Sequence, residues 1–400
     1  CSNAIIEPVI RPVNFRQINP GEHNYIIISH PLLRMPALGY ADPVKAYAEY
    51  RASEAGGSYD TLVVNVQQLY DQFNYGESSP LAVFHFMKFL DTNRPEYLLL
   101  VGKGLDVHYN YHRNPKANAF ATRKDLVPSA GFPGSDMFYT AGLAGTTHEP
   151  AVPTGRISAI NSSGVAAYLN KVKEMEALPY NSLWRKNILH LSGGILEGEP
   201  ERFRDYMIEF QEKAEDYYLG GKVTAIAKYS KELGEINIAQ QVNSGLNLVT
   251  YFGHSATDQL DFDIGDVTNP VLGYNNKGKY PVFLMNGCNL GSIFLTSKML
   301  GENWVLAEDK GAAGFIAHSA YGFTGNLRDY TNMFYSVGYQ DSTFMRKGIG
   351  DIQKEVGRRY MESYSNTAIR ITQIQQMILI GDPALQLFGA PETDLEITDN

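Results

Sequence analysis

Two reactive side chains follow apolar runs of the kind that form buried strands. His254 comes two residues after the run LNLVTYF (246–252), and Cys288 comes three residues after the run PVFLM (281–285). A thiol is nucleophilic as its thiolate, and an adjacent imidazole favours that ionisation. The pair therefore predicts a cysteine nucleophile at Cys288, with His254 as general base and acid. His318, which follows another such run, is a second candidate base, with pocket lining as its other interpretation.

A glycine stands before each of the two residues and permits a close turn of the backbone. We expect the backbone amides of Ser255 and Cys288 to point into one cavity and to form an oxyanion hole, which is usually a large catalytic term. Taken alone, a free cysteine is more often buried and unreactive, and a histidine at a strand end is more often structural. Their occurrence together, at the ends of neighbouring predicted strands, favours the catalytic interpretation.

The composition is that of a globular protein and argues against several function classes. The 400 residues are 44% hydrophobic and 19% charged, with a formal net charge of −9. Because no run of Lys or Arg offsets this acidic balance, nucleic-acid binding through phosphate neutralisation is not expected. No apolar stretch approaches the roughly 18 residues of a membrane span. Cys1 and Cys288 are the only cysteines, so no disulfide framework is expected.

Short β-rich runs alternate with amphipathic stretches, which predicts an α/β fold with mainly parallel sheets flanked by helices. The expected strands are residues 25–29, 61–66, 97–101, 187–192, 222–227, 246–252, 281–285 and 312–317. The expected helices are residues 43–55, 81–90, 163–178, 200–218 and 302–310, with mostly helical structure from there to 377. Since ligands of open α/β sheets bind beyond the carboxyl ends of the strands, chemistry is expected at that edge.

The same pattern divides the chain into two α/β subdomains. We place an N-terminal tail at 1–20, an N-terminal subdomain at 21–160, a catalytic C-terminal subdomain at 161–390 and a linker-like tail at 391–400. Within the first tail, Ser2-Asn3-Ala4 resembles the remnant of a cleaved tag, and a Cys followed by Ser is alternatively the start of a mature bacterial lipoprotein. Residues 105–150, rich in Asn, Pro, Gly, Tyr and His, are expected to form a long loop region that carries functional or specificity elements.

The stretch YFGHSA (251–256), followed by NGC (286–288), resembles the gingipain family of bacterial cysteine peptidases. Their motifs are a Tyr-x-Gly-His-Gly turn and a later strand that ends on the nucleophilic cysteine. Other segments agree in the same order along the chain, namely YLLLVGKG (97–104), GSDMFY (134–139), PTGRIS (153–158), WRKNILHLS (184–192), GENWVLAEDKGAAGFIA (301–317) and LIGDPALQLFG (379–389). The resemblance therefore extends from about residue 20 to residue 390.

This resemblance implies a caspase-like fold of two α/β subdomains, a Cys–His dyad and an oxyanion hole of two backbone amides. Carried over to this chain, Cys288 is the nucleophile, His254 is the general base and acid, and Ser255 and Cys288 supply the amides. The resemblance also implies a polypeptide substrate and export by the type IX secretion system of Bacteroidetes-type bacteria, with components of that system as partners. We therefore expect a secreted or cell-surface protein, associated with the outer membrane, whose signal peptide is already absent.

Two positions depart from the family pattern. Ser255 stands where the family has a glycine, and a positive φ at that position would strain a serine. The family places a carboxylate four residues before the Gly-Arg pair, where it supports the histidine, but this chain has Ala151 there. Three explanations are open: Glu149 substitutes through a locally different loop, the dyad works without an acid, or activity is weak. Asp136 is another candidate orienting or pocket acid.

Three further features have weaker patterns. Asp261, Asp263 and Asp266 follow the histidine and can be interpreted as Ca²⁺ ligands or as a solvated acidic loop, and no cofactor is required for the predicted chemistry. Gly102-Lys103-Gly104 lacks the spacing of a phosphate-binding loop. Tyr321 and Phe323 resemble residues that line a substrate pocket, with core packing as the alternative.

Two functional hypotheses follow from these patterns. The first is an active cysteine endopeptidase, which includes the narrower case of a signal peptidase or sortase of type IX secretion that removes C-terminal sorting domains. The second is a non-catalytic binding or scaffolding module on a peptidase fold, which the missing carboxylate at Ala151 and the serine at position 255 motivate.

Overall fold

The computed structural model describes residues 12–106, 123–179, 181–256 and 258–387. The strands within these ranges are β1 (Tyr25–Ser29), β2 (Thr61–Asn65), β3 (Tyr97–Val101), β4 (Thr154–Ile157), β5 (Asn187–Ser192), β6 (Lys222–Ala227), β7 (Gly234–Glu235), β8 (Leu248–Phe252), β9 (Phe262–Asp263), β10 (Val282–Asn286), β11 (Gly314–His318) and β12 (Met377–Gly381). The α-helices are α1 (Pro43–Ala52), α2 (Val66–Phe73), α3 (Leu81–Leu90), α4 (Ser162–Glu176), α5 (Glu199–Ala214), α6 (Ala239–Ser244), α7 (Leu300–Leu306), α8 (Thr324–Gln340), α9 (Ile349–Ser363) and α10 (Ala368–Gln376).

Ten of the strands form one sheet in the order β2-β1-β3-β4-β12-β11-β10-β8-β5-β6. Every neighbouring pair in it is parallel except β11 and β12, which run antiparallel. The four strands before residue 160 and the six strands after it meet at one registered pair, Ile380 beside Arg156. The predicted mainly parallel α/β architecture is confirmed.

The burial pattern follows the position of each strand in the sheet. Strands β1, β3, β8, β10, β11 and β12 are buried along their whole length, as expected where helices cover both faces of a parallel sheet. The edge strand β2 alternates between buried and half-buried residues, and the edge strand β6 has no buried residue. The apolar runs that the sequence displays therefore belong to the centre of the sheet, where the reactive residues also lie.

Local sequence sets where the helices begin. Asp42 accepts hydrogen bonds from the backbone N–H groups of Val44 and Lys45, and Pro43 occupies the first turn, so α1 starts where the sequence predicts. Helix α2 follows β2 without a loop because Asn65 caps it and Gln68 bonds back to the Asn65 N–H. Because no turn residues separate β2 from α2, the sequence pattern indicated a strand over 61–66 and did not indicate the helix that follows.

A buried polar cluster joins the two halves of the sheet. Asp382, directly after β12, accepts hydrogen bonds from Tyr25 at 2.7 Å, from Tyr47 at 2.5 Å and from Arg51 of α1 at 2.7 Å. Arg51 also pairs with Glu176 at the end of α4 at 2.9 Å. Asp382 and Arg51 are 1% and 2% exposed, so this ion pair is closed off from solvent.

Some predicted regions differ from the structure or lie outside it. Strand β4 was not predicted because it has four residues and carries Arg156, whose charge is buried against Asp136. Part of the predicted 105–150 loop (107–122), residues 1–11 and residues 388–400 lie outside the described residues. The described part of that loop contains one short 3-10 turn, Met137–Tyr139.

None of the helices in the described ranges combines the length and the apolar character that a transmembrane span requires.

Replacing Asp382 by Asn is expected to lower the free energy of unfolding by about 3–5 kcal/mol, because it removes the fully buried carboxylate partner of Arg51 and leaves that buried charge only the partly exposed Glu176. Urea denaturation followed by tryptophan fluorescence measures the change. Lys45→Ala is the control, since the Lys45–Glu49 pair is exposed and is expected to contribute less than about 1 kcal/mol. Equal denaturation midpoints for the two variants would contradict the role given to this cluster.

Candidate active site

The parallel strands β8 and β10 bring His254 and Cys288 to adjacent loops. Phe252 lies beside Asn286 as the last registered pair, and the Gly253 N–H donates to the Asn286 carbonyl over 3.1 Å. His254 and Cys288 each follow that pair by two residues. Both therefore lie at the carboxyl edge of the sheet, where α/β proteins bind their ligands.

Contacts show that both side chains are on the face of the sheet covered by α5 and α8. The ring centroid of His254 lies 6.3 Å from that of Phe203 on α5. The Cys288 Sγ lies 3.7 Å from the carbonyl oxygen of Gly322, two residues before α8. The His254 side chain is 40% exposed and Cys288 is half-buried, so a substrate can reach both.

A carboxylate holds the histidine ring. Glu199 Oε2 lies 2.8 Å from His254 Nε2, and Glu199 itself is 5% exposed. Burial opposes ionisation of Glu199, but hydrogen bonds from the Leu196 N–H, the His254 ring and the Ile195 N–H together lower the pKa of this carboxyl below its ordinary value. Because an ionised carboxylate only accepts, Nε2 is the donor in this contact, and Nδ1 is the ring nitrogen that does not face Glu199.

The start of α5 explains why Glu199 is fixed there. Gly198 adopts a left-handed conformation (φ 74°) immediately before the helix, and Pro200 occupies its first turn. The chain before the helix folds back so that the N–H groups of Leu196 and Ile195 donate to Glu199 Oε2 at 2.9 and 3.2 Å. A carboxylate is favoured at this end of a helix by the helix dipole. The acid is therefore held by the backbone independently of the histidine.

The two amides expected to form an oxyanion hole are available. Ser255 lies opposite Leu260 in an antiparallel bridge. The hydrogen bonds of this bridge are made by the flanking residues, from the Asp261 N–H to the His254 carbonyl and from the Ala256 N–H to the Gln259 carbonyl. Ser255 and Leu260 therefore form a non-hydrogen-bonded pair. The Ser255 N–H consequently points away from Leu260. Among the described residues, neither this N–H nor that of Cys288 donates to a protein acceptor. Whether they bind an oxyanion stays a prediction.

The Ser255 side chain ties the two loops together. Its hydroxyl donates to the Cys288 carbonyl at 2.7 Å. Gly287 must approach this serine closely, because a Cβ added there would lie 2.2 Å from Ser255 Oγ. Ser255 is not among the described residues with positive φ, so the strain expected for a serine at a glycine position does not arise.

The three aspartates that follow the histidine have separate roles. Asp261 is 2% exposed and lies 2.5 Å from the Tyr251 hydroxyl, 2.7 Å from the Gly194 N–H and 3.9 Å from Lys228 Nζ. Asp263 accepts from the Gly265 N–H, and the exposed Asp266 accepts from Thr268. No three carboxylate, histidine or cysteine side chains gather as metal ligands in the described part of the chain. Asp261 instead braces the turn that carries His254.

Comparison with known proteins identifies the family. A sequence model described as peptidase family C25 matches residues 18–388. The chain belongs to this family. A search of curated proteins found no significant match.

Solved structures of peptidases share the fold of this C25 protein. The Arg-specific cysteine proteinase gingipain R (RgpB) superposes with a TM-score of 0.68 at 16% identity, covering 93% of this chain and 80% of that one. The complex of the Porphyromonas gingivalis RgpB pro- and mature domains gives 0.68 at 16% identity, covering 90% and 79%. Dimeric latent PorU from Porphyromonas gingivalis gives 0.43 at 13% identity, covering 91% of this chain and 30% of that one. The two RgpB structures confirm the caspase-like gingipain fold for this C25 member.

The structure corrects the expectation about the orienting acid. Asp136 is buried in a bidentate ion pair with Arg156, at 2.6 and 2.7 Å, and so neutralises the buried charge on β4. Glu149 accepts from the His148 N–H and packs near Gly357 on α9. Glu199 is the carboxylate that contacts His254 in this C25 protein.

The remaining candidate residues divide into buried and exposed ones. His318 is 2% exposed, burial lowers its pKa to about 4, and the neutral ring donates from Nδ1 to the Ala320 carbonyl at 3.2 Å. This bond gives His318 a structural role at the end of β11. Tyr321 and Phe323 are 74% and 51% exposed and flank Gly322, so they do not pack in the core.

Glu199 was missed because it lies 55 residues before His254 in the sequence. The signal that could have located it is local. The segment Gly198-Glu199-Pro200 is a helix start with an acid in its first turn, and it follows the strand β5 that neighbours β8. Strand order is what places that helix start against His254, and the sequence alone does not give strand order.

Replacing Glu199 by Gln is expected to lower kcat/KM of this C25 protein by about 10²–10⁴-fold, because the neutral amide no longer fixes the Nε2-protonated ring or stabilises its cation. Peptide turnover measures the change, and circular dichroism checks that the fold is kept. Glu201→Gln is the matched control, since Glu201 is on the same helix turn but pairs with Arg204 at the surface. Activity of Glu199→Gln within twofold of the control would exclude an orienting role.

Proposed function

We propose that this protein is a cysteine endopeptidase in which Cys288 attacks a peptide carbonyl and His254 moves the protons. The observation that carries the proposal is the 2.8 Å contact between Glu199 and His254 Nε2, on the loop adjacent to that of Cys288. Membership of peptidase family C25 and the gingipain fold support it.

The chemistry follows from the assigned protons. With Nε2–H directed to Glu199, Nδ1 takes the proton from the Cys288 thiol and later gives it to the leaving amine. The carbonyl carbon forms a bond to Sγ, the C–N bond breaks, and a thioester remains. Water, deprotonated by the same imidazole, then hydrolyses the thioester and releases the thiol. The N–H groups of Ser255 and Cys288 stabilise the oxyanion at both stages.

The alternative of a non-catalytic binding module rested on two departures from the family pattern, the missing carboxylate at position 151 and the serine at position 255. Glu199 supplies a carboxylate to the histidine although position 151 is alanine. Ser255 keeps its N–H free and adopts no positive φ. Neither departure from the family pattern therefore favours loss of catalysis.

Labelling with a peptidyl acyloxymethyl ketone tests the proposal. The unmodified protein is expected to gain one adduct on Cys288 under reducing conditions, while Cys288→Ala gains none and His254→Ala reacts at least about 10²-fold more slowly. His85→Ala is the control, since His85 is exposed on α3 and is expected to react at the normal rate. No adduct on the unmodified chain with any peptide sequence would refute the proposed function.

We further propose a role in type IX secretion, in which the protein acts at the cell surface as a signal peptidase or sortase on exported cargo. The proposal includes components of that system as partners and a secreted or outer-membrane-associated location, and the gingipain resemblance supports it.

Ca²⁺ binding at Asp261, Asp263 and Asp266 remains a separate proposal. The carboxylate of Asp261 already accepts hydrogen bonds from the Tyr251 hydroxyl and the Gly194 N–H.

Hydrolysis and transfer give different products from the same thioester. Mass spectrometry of a peptide substrate cleaved in the presence of a primary amine is expected to detect an amide adduct if the protein is a sortase. A product that carries only the free carboxylate, at amine concentrations up to tens of millimolar, would identify a hydrolase and exclude transfer. The Cys288→Ala protein controls for uncatalysed aminolysis.

A further inference from the structure

We infer that Asn289 is a positioning residue for the proposed reaction, because its left-handed backbone conformation holds the peptide unit that joins it to Cys288. Asn289 follows Cys288 directly and has a φ of 61°. This role rests on the proposed function and extends it from the groups that react to the residue that fixes the loop of the nucleophile.

The backbone conformation of Asn289 is the feature that points to this role. A positive φ is unfavourable for residues with a side chain, and asparagine is one of the few that tolerate it. Such conformations persist where the surrounding structure fixes them, and they cluster at active sites. Six described residues other than glycine have a positive φ, and of these Asn289 is the one that adjoins a member of the dyad. Its half-buried side chain makes no hydrogen bond within the described ranges, so its backbone is what the site uses.

The peptide unit between Cys288 and Asn289 is bonded through both of its polar groups. Its carbonyl accepts from the Ser255 hydroxyl at 2.7 Å, and its N–H donates to the Ala320 carbonyl at 2.7 Å. These bonds connect the loop of the nucleophile to the loop after β8 on one side and to the loop after β11 on the other. The φ of Asn289 allows the two groups to point at these partners while the chain turns.

The residues after Asn289 are anchored on the other side of the sheet. Leu290 is fully buried in the core on the face covered by α4 and α7, whereas the Cys288 thiol lies on the face covered by α5 and α8. The Gly291 N–H donates to the His318 carbonyl at 2.9 Å. A shift of the whole turn would break these anchors, so the strain at Asn289 is not relieved in that way.

One local rearrangement would relieve the strain. Rotation of the peptide unit by roughly 180° changes ψ of Cys288 and φ of Asn289 together, as in the exchange between type II and type I turns, and gives a negative φ. The rotated carbonyl would then face the Ala320 carbonyl, and the Ser255 hydroxyl would lose its acceptor. Since the Ser255 N–H is one of the two amides proposed for the oxyanion hole, this rotation would weaken stabilisation of the transition state.

Substitutions at position 289 separate a backbone role from a side-chain role. Asn289→Gly, which accepts a positive φ, is expected to keep kcat within about threefold of the unmodified protein. Asn289→Ala is expected to lower kcat about 10-fold and the β-branched Asn289→Val about 10²-fold, with KM nearly unchanged, because the oxyanion forms only in the transition state. Peptide turnover measures both constants. Equal losses in Asn289→Gly and Asn289→Ala, or an unchanged kcat in Asn289→Val, would overturn the inference.

Asp309→Ala is the matched control for backbone strain alone. Asp309 also has a positive φ, of 57°, but it lies after α7, and its ion pair with Lys277 is exposed. This variant is expected to lower the urea denaturation midpoint about as much as Asn289→Ala does and to leave kcat unchanged. An equal loss of kcat in the two variants would attribute the effect to general destabilisation and overturn the role of Asn289.

A double-mutant cycle with Ser255 tests how the effect reaches the reaction. Ser255→Ala removes the hydroxyl that bonds the Cys288 carbonyl but keeps the N–H. If Asn289 acts by holding that carbonyl, the loss of kcat/KM in the double variant is expected to be smaller than the product of the two single losses by at least about twofold. Losses that multiply would overturn the inference and leave the proposed function in place. No turnover and no labelling of Cys288 in the unmodified protein would remove the proposed function and this inference with it.

Discussion

The parallel register of β5, β8 and β10 is the constraint on which the site depends. Parallel strands end at one edge, so residues that follow equivalent positions in neighbouring strands become neighbours themselves. His254 and Cys288 follow the registered pair Phe252 and Asn286 by the same number of residues. Glu199 reaches the same edge because β5 pairs with β8 on its other side. Three residues far apart in the chain are thereby placed at the same edge of the sheet, and two of them, Glu199 and His254, are in contact.

The loops at that edge are rigid because each is bonded to its neighbour. Asp261 connects the turn after β8 to the Gly194 N–H after β5, and the Tyr251 hydroxyl lies 2.5 Å from both Asp261 and the His254 carbonyl. Ser255 connects the same turn to the Cys288 carbonyl. A catalytic group displaced by about 1 Å can lose a factor of 10² in rate, so in the proposed peptidase this bracing would serve the reaction as well as the stability of the fold.

Elements that are marked by a local pattern could be predicted from the sequence, whereas contacts that depend on the order of the strands could not. The strands 25–29, 97–101, 187–192 and 222–227 have the predicted bounds, because continuous apolar or β-branched runs mark them. Strand β4 escaped prediction because its central Arg156 is a charge whose partner, Asp136, is supplied by a distant loop. Glu199 escaped for the same reason. Its partner is 55 residues away, and only the pairing of β5 with β8 brings them together.

The serine at position 255 illustrates how a departure from a family motif can be compensated by its neighbour. A glycine there would leave the Cys288 carbonyl without the hydroxyl that now binds it at 2.7 Å. The serine in turn requires Gly287, because any side chain at that position would collide with Ser255 Oγ. The requirement for a small residue is thus moved from the turn after the histidine to the residue before the cysteine. Since the N–H of Ser255 donates to no described protein acceptor, the exchange keeps both amides of the expected oxyanion hole while adding a bond that fixes the peptide unit after Cys288.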